Sequence, residues 1–175
     1  MRPTVPHPSP QLVIFSPAVA EQLGLSASEC KSESFLRLFS GDVPPELATW
    51  ATAYGASFTG RYGGQRGDGR AVSIAQIHGQ EVQLKGGGVT PFSRQFDGRA
   101  VLRSSVREFL ASEAMAALGV ATTRSLCVVT SGDKVPRAWY DDQGRDIYVE
   151  EPGAVGTRVA PSFLRFGQFE LFYQV

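Results

Sequence analysis

Lysine is scarce in this chain: Lys31, Lys85 and Lys134 stand against fourteen arginines. Cysteine is scarcer still. Cys30 and Cys127 lie far apart, which excludes a disulfide framework or a cysteine metal site and points to a reducing compartment. Net charge is absent, because seventeen basic residues cancel seventeen acidic ones. No global field therefore recruits nucleic acid or an anionic membrane, and any anion site must be local. No apolar run reaches membrane-spanning length. The opening MRPTVPHPSPQ has prolines where a signal peptide would carry its apolar stretch. Repeats and low-complexity tracts are missing too. The two histidines carry no chemistry: His7 sits in the proline-rich start and His78 in a turn.

What is present is an ordinary globular chain. At 175 residues, with 42% apolar and 19% charged residues, one domain with a real core is expected. Residues 1–10 read as extended and Leu12–Phe15 as a short strand. Ser16-Pro17 read as an N-cap and first-turn proline of a helix that stops at Gly24. Phe35, Leu36, Leu38 and Phe39 mark the buried face of a second helix. A third is expected over 44–54, burying Leu47 and Trp50. The stretch GASFTGRYGGQRGDG is too dense in glycine to be a regular strand or helix throughout. Residues 71–77 and 81–85 then alternate as a hairpin around His78-Gly79-Gln80.

The stretch from Glu81 to Leu118 organises the rest. A strand delivers Lys85 into Gly86-Gly87-Gly88, a turn ends in Asp97-Gly98-Arg99, and a helix follows over about 104–118. Val106, Leu110, Ala114, Ala117 and Leu118 recur at helical spacing and should face the core. Glu108 lies on another face, beside Ala111, Ser112 and Met115. Strands are expected at 125–130, 135–140, 147–150 and 154–160, with a helix from Pro161 carrying an aromatic stripe of Phe163, Phe166, Phe169 and Phe172 or Tyr173. The fold class is α+β: an antiparallel sheet with a packed long helix and additional N-terminal helices. A strand lysine, a glycine cluster and a helix glutamate in this order have the layout of a protein-kinase N-lobe and its phosphate site.

Plainer readings fit the same residues. Lys85 can be an exposed turn lysine, Arg99, Arg103 and Arg107 a solvated helix face, and Glu108 a surface partner of Arg103 or Arg107. Gly67-Asp68-Gly69 is also an ordinary hairpin turn, and Arg158 and Arg165 can be surface arginines. Cys127, in an apolar strand, reads as buried and inert.

The segment LKGGGVTPFSRQFDGRAVLRSSVREFLASEAMAALGVATTR resembles the most distinctive segment of the selenoprotein O family. GGQRGDGRA before it and RVAPSFLRFGQFE after it are also close to that family's pattern, so the resemblance runs from about Pro8 to the end. Members are pseudokinases that transfer AMP from ATP to protein hydroxyls on Ser, Thr or Tyr. The resemblance implies a kinase-like N-lobe at 55–160, an N-terminal extension at 1–54 packed on it, and a segment at 161–175 leading toward a C-lobe. Gly67, Gly69 and Arg70 would belong to a loop over the nucleotide. Lys85 would contact phosphates and pair with Glu108, while Asp97 and Gly98 would contact the nucleotide. Arg158 and Arg165 would hold the distal phosphate, flanking the N-terminus of a helix that begins at Pro161.

Two departures matter. The family usually carries Tyr-Ala-Gly-His-Gln-Phe-Gly before the glycine loop; here Tyr54 to Gly60 reads YGASFTG, and Ser57 replaces the histidine. The family's catalytic aspartate and its Mg²⁺-binding asparagine and aspartate lie downstream of RFGQFE, so this chain alone is expected to be inactive, with no catalytic or metal residue of its own. The expected partners are ATP and hydroxyl-bearing protein substrates, with neither nucleic acid nor membrane. The compartment would be cytoplasmic in a bacterium and mitochondrial in a eukaryote. The competing class is a non-catalytic kinase-like module that binds nucleotide or protein.

Overall fold

The computed structural model describes residue 3, residues 8–58 and residues 61–173. His7, most of the proline-rich start, and Thr59 and Gly60 lie outside them. Strands β1 (Gln11–Phe15), β4 (Ala71–Ile77), β5 (Gln80–Lys85), β6 (Ala100–Val101), β7 (Arg124–Tyr140) and β8 (Asp146–Ala160) form one antiparallel sheet. Its order is β1-β7-β8-β5-β4, with β6 pairing β8. This is the expected α+β architecture with an antiparallel sheet. The β4–β5 hairpin turns at His78 and Gly79, both at positive φ (50° and 74°), which matches the right-handed twist of the strands they join.

The expected strands 125–130 and 135–140 are one strand, β7, and 147–150 and 154–160 merge likewise into β8. The register of β7 on β8 shifts between Thr130 and Lys134. A bulge absorbs extra residues without ending the pairing, so sequence that reads as a break is only a bend. Gly132 takes a φ of 78° within it.

Helices cover both faces. On one, α1 (Pro17–Gln22) and α2 (Glu33–Ser40) bury Val19, Leu23, Phe35 and Phe39 against Val72, Val82, Leu84 and Val129. On the other lies α3 (Leu102–Ala117), where Phe109 and Leu102 meet Val128 and Ala154. Alternation along β7 and β8 separates the two, so Val128 and Val129 point to opposite cores. Lys85, next to inward-facing Leu84, therefore emerges on the α3 face.

The α3 face is not the expected one. Ser105, Phe109 and Ser112 are buried, whereas Leu110 is 59% and Leu118 76% exposed. Small serines let the helix approach the sheet closely; the larger apolar residues recur at the same spacing but on the outer side. Ser112, expected beside Glu108 on a sheet-facing side, is indeed buried, while Ala111 and Met115 are exposed.

Two further expectations are corrected, and the glycine-rich segment is, as expected, not one regular element throughout. Residues 44–54 form no helix: the paired prolines make a turn, and Trp50 bridges Ser73 in extended form. The glycine-rich segment is mostly strand, with β2 (Ala53–Phe58) and β3 (Arg61–Gly67) forming a separate two-stranded sheet with a register shift between Gly55 and Ser57. Pro161 starts no helix. The last helix, α4 (Phe166–Tyr173), begins five residues later, where Gln168 can close its first turn. The Gln168 side chain accepts from the Arg165 amide at 2.6 Å and the Gln168 amide donates to the Arg165 carbonyl at 3.0 Å. Helix α4 packs on β2 so tightly that a Cβ on Gly167 would stand 2.2 Å from the Gly55 carbonyl oxygen. Its outer side leaves Phe166, Phe169, Phe172 and Tyr173 exposed.

Candidate functional site

Strand β5 ends at Lys85, whose backbone lies between Ala71 of β4 and Gly156 of β8. The next residue, Gly86, has a φ of 98°, and a Cβ there would strike Ala100 and the Ala154 carbonyl oxygen at 2.6 and 2.7 Å. Glycine is thus required for the chain to leave the strand at this point. Across the sheet, α3 aims Glu108 at the lysine, and Lys85 Nζ donates to Glu108 Oε1. Arg158, one alternation beyond Gly156 on β8, brings its Nη1 to 3.6 Å from Glu108 Oε2. A single carboxylate therefore faces two cations.

Arg158 is largely buried. Burial lowers its pKa from the usual guanidinium value, and the Glu108 charge opposes that shift. Its Nη2 donates to the Thr123 carbonyl and hydroxyl, while its buried Nε has no partner among the described residues. Arg70, Lys85, Glu108 and Arg158 line one pocket with Ser105 and Gly156. The N-terminus of α3 borders it, and its N-cap, Val101, supplies no side-chain acceptor. Three cations, a buried unsatisfied donor and an uncapped helix N-terminus give the pocket anion-binding character.

The other expected residues lie around this pocket rather than in its lining. Gly67 ends β3, and Asp68 and Gly69 follow it in the connection to β4; the two strands pair with different partners. The hairpin-turn reading of Gly67-Asp68-Gly69 is thereby corrected. A Cβ on Gly67 would stand 2.3 Å from the Phe92 ring, and one on Gly69 2.9 Å from the Phe92 carbonyl oxygen. Asp97 accepts from Arg137 at 2.6 and 3.1 Å and from the Arg99 amide at 2.9 Å. Burial works against its charge, but the hydrogen bonds of Arg137 and the Arg99 amide, with the charges of both arginines, hold its pKa below the usual carboxylate value. Gly98, at a φ of 66°, passes so close to Gly88 that a Cβ would lie 2.0 Å from the Gly88 carbonyl oxygen.

Arg165 and Arg158 do not flank one helix N-terminus, contrary to expectation. Arg165 precedes α4, pairs with Asp68 at 3.0 Å and lies 5.0 Å over the Tyr54 ring. Asp68, Thr123 and Arg137 are supporting residues that carry no signal in the sequence. Each bonds to an expected site residue across at least 35 positions, a relation that local spacing does not reveal. Two of the plainer readings are also corrected. Lys85 is not an exposed turn residue, and Glu108 pairs with Lys85 and Arg158 while Arg103 pairs with Glu151.

The sequence model of the family described as protein adenylyltransferase SelO matches residues 3–175. The chain belongs to that family. It is 51% identical over 98% of its length to a protein nucleotidyltransferase YdiU of Xanthomonas campestris pv. campestris (strain B100). It is 48% identical over 95% of its length to one of Aromatoleum aromaticum. In each case it spans 33% of the relative's length, about one third.

The pocket's donors, Lys85, Arg70 and Arg158, are of the kind that suits phosphate oxygens. The described residues do not fit a divalent metal. No group of three or more His, Cys, Asp or Glu that could hold one occurs among the described residues. Glu108, Asp97 and Asp68 are each committed to arginine or lysine. None of the described helices is long and apolar enough to cross a membrane.

Proposed function

We propose that this chain forms the ATP-binding part of a protein adenylyltransferase, which transfers AMP from ATP to Ser, Thr or Tyr hydroxyls of proteins. One observation carries the reading: Lys85, Arg158 and Arg70 converge on a pocket in which Glu108 is the only acidic lining residue among the described residues. Lys85 and Arg158 hold phosphates, and Glu108 fixes both cations in place. Gly67, Gly69 and Arg70 cover the nucleotide, Asp97 and Gly98 shape the turn beside it, and Arg165 reaches the distal phosphate. In the transfer, a protein hydroxyl oxygen bonds to the α-phosphorus as the bond to the β-phosphate oxygen breaks. Pyrophosphate leaves and the hydroxyl proton passes to a base. Anchoring the pyrophosphate end leaves the α-phosphorus as the exposed electrophile, and positioning with charge neutralisation supplies most of such a barrier's reduction. Mg²⁺ and the base belong to the two thirds of the relatives' length that this chain does not match.

On this reading, residues 1–54 are an extension packed on a nucleotide-binding lobe at 55–160, and 161–175 lead toward a C-lobe. The exposed Phe166, Phe169, Phe172 and Tyr173 form the surface that meets it. The test is calorimetric titration of ATP into the chain. Lys85→Ala and Arg158→Ala should each weaken binding about tenfold, the loss of one charge-assisted contact. Unchanged affinity in both contradicts the site.

A second reading is a non-catalytic module that binds nucleotide or a protein partner. The commitment of every named site carboxylate to a cation favours it. ATP bound with no AMP transfer, even when the chain is joined to the remainder of a relative, would select it.

A further inference from the structure

Asp68 is the most confined carboxylate near the pocket. Its side chain is 2% exposed. Oδ2 accepts from the Thr52 amide at 3.0 Å and the Thr52 hydroxyl at 2.6 Å. Oδ1 accepts from Arg165 Nη2 at 3.0 Å. Its own backbone is clamped as well: the amide donates to the Thr52 carbonyl at 2.9 Å and the carbonyl accepts from the Thr90 hydroxyl at 2.6 Å. Gly67 and Gly69 on either side press against Phe92 with no room for a Cβ. The carboxylate is therefore a fixed point.

Arg165 is its opposite. Its side chain is 44% exposed and belongs to the segment before α4. It is steadied by Asp68 on one nitrogen and by the Tyr54 ring beneath it. A guanidinium carries five N–H donors in a rigid fork, so one bond to Asp68 fixes its plane and leaves donors for a second anion. Asp68 also lies two residues before Arg70, a span of at most about 7 Å of chain, and Arg70 lines the Lys85 pocket. A buried carboxylate without a cation is costly, which gives the pairing a physical reason to persist.

We propose that Asp68 is a positioning residue: it orients Arg165 beside Arg70 so that the remaining guanidinium donors meet the distal phosphate of ATP. This rests on the ATP-binding reading above. Calorimetric titration of ATP and AMP into the 175-residue chain tests it. Asp68→Asn should weaken ATP about tenfold and AMP less than about twofold, since AMP lacks the distal phosphate. Asp68→Asn should cost little further in an Arg165→Ala background, because the two act as one unit. Thr52→Val, which trims the same hydrogen-bond cluster but keeps the Asp68–Arg165 pair, should leave the ATP-to-AMP ratio unchanged. Equal losses for ATP and AMP, or additive effects of the two substitutions, would make Asp68 a purely structural residue and overturn the inference. Where melting shows that Asp68→Asn does not fold, Arg165→Lys decides. A lysine keeps the charge but lacks the rigid fork that Asp68 orients, so Arg165→Lys should bind ATP several-fold more weakly than the native chain while AMP is unaffected; wild-type affinity overturns the inference. ATP binding that needs Lys85 but neither Asp68 nor Arg165 overturns this inference alone. An unsubstituted chain that binds no ATP overturns the nucleotide reading and this inference with it.

Discussion

Lys85 and Glu108 meet across 23 positions of sequence, one at the end of β5 and the other on the second turn of α3. Each side chain is about one third exposed, at 33% and 31%, so the pair stands between a surface and a buried salt bridge. Arg158 adds a second cation to the same carboxylate. Removing Lys85 leaves Glu108 paired, whereas removing Glu108 leaves two cations facing each other. We therefore expect Lys85→Ala to cost roughly 1 kcal/mol or less and Glu108→Ala to cost more, measured as urea midpoints. The reverse ranking would mean that Arg158 and Lys85 do not share Glu108.

What the sequence makes legible follows from the range of each signal. Period-two alternation and the His78-Gly79 turn marked β4 and β5, and the Lys85-to-Glu108 relation followed from the kinase-like order of elements. The outer face of α3 misled, because Leu110 and Leu118 recur as regularly as a core stripe would. The face that α3 buries is Ser105, Phe109 and Ser112, and the smallness of the two serines matters only once a sheet is present. The Asp68–Arg165 and Arg137–Asp97 pairs span 97 and 40 positions, and no local pattern encodes them. The bulge at 131–133 has no local signal for a similar reason: it is defined only by β8 pairing on both sides of it.

Gly98 and Gly144 both have positive φ, 66° and 74°, but different surroundings. Nothing lies within 4 Å of a Cβ built on Gly144, while one on Gly98 would overlap the Gly88 carbonyl group. Gly144→Ala should lower stability by about 1 kcal/mol from backbone strain alone. Gly98→Ala should cost roughly 3 kcal/mol or more, because backbone must also move. Thermal melting of the two variants compares them directly; equal losses would contradict the close approach.

Asp97 links to acid stability. Its pKa is held below the unfolded value, so its contribution is present above the ordinary carboxylate range and fades as pH falls through the folded value. The stability difference between the native chain and Asp97→Asn should be constant above about pH 5 and shrink below about pH 4. Urea midpoints measured across that range provide the check. A difference that grows with acid would contradict the Arg137 pairing.

Cys127 and Cys30 are both buried. Burial pushes the Cys127 thiol up to about 12, with the Thr157 hydroxyl only partly offsetting it. At pH 8 the folded chain should leave both thiols unmodified by a thiol-specific reagent and release them only on unfolding. Rapid labelling of Cys127 in the folded chain would contradict its place in the core.

The central claim is that the pocket of Lys85, Glu108 and Arg158 holds ATP for AMP transfer. The most direct measurement joins this chain to the remaining two thirds of the Xanthomonas campestris relative and follows labelling of protein by ATP tagged at the α-phosphate, with Mg²⁺ present. We expect labelling by the joined protein, none by the 175-residue chain alone, and none by the joined protein carrying Lys85→Ala or Arg158→Ala. Undiminished labelling in both variants, or labelling by the short chain itself, would contradict the account.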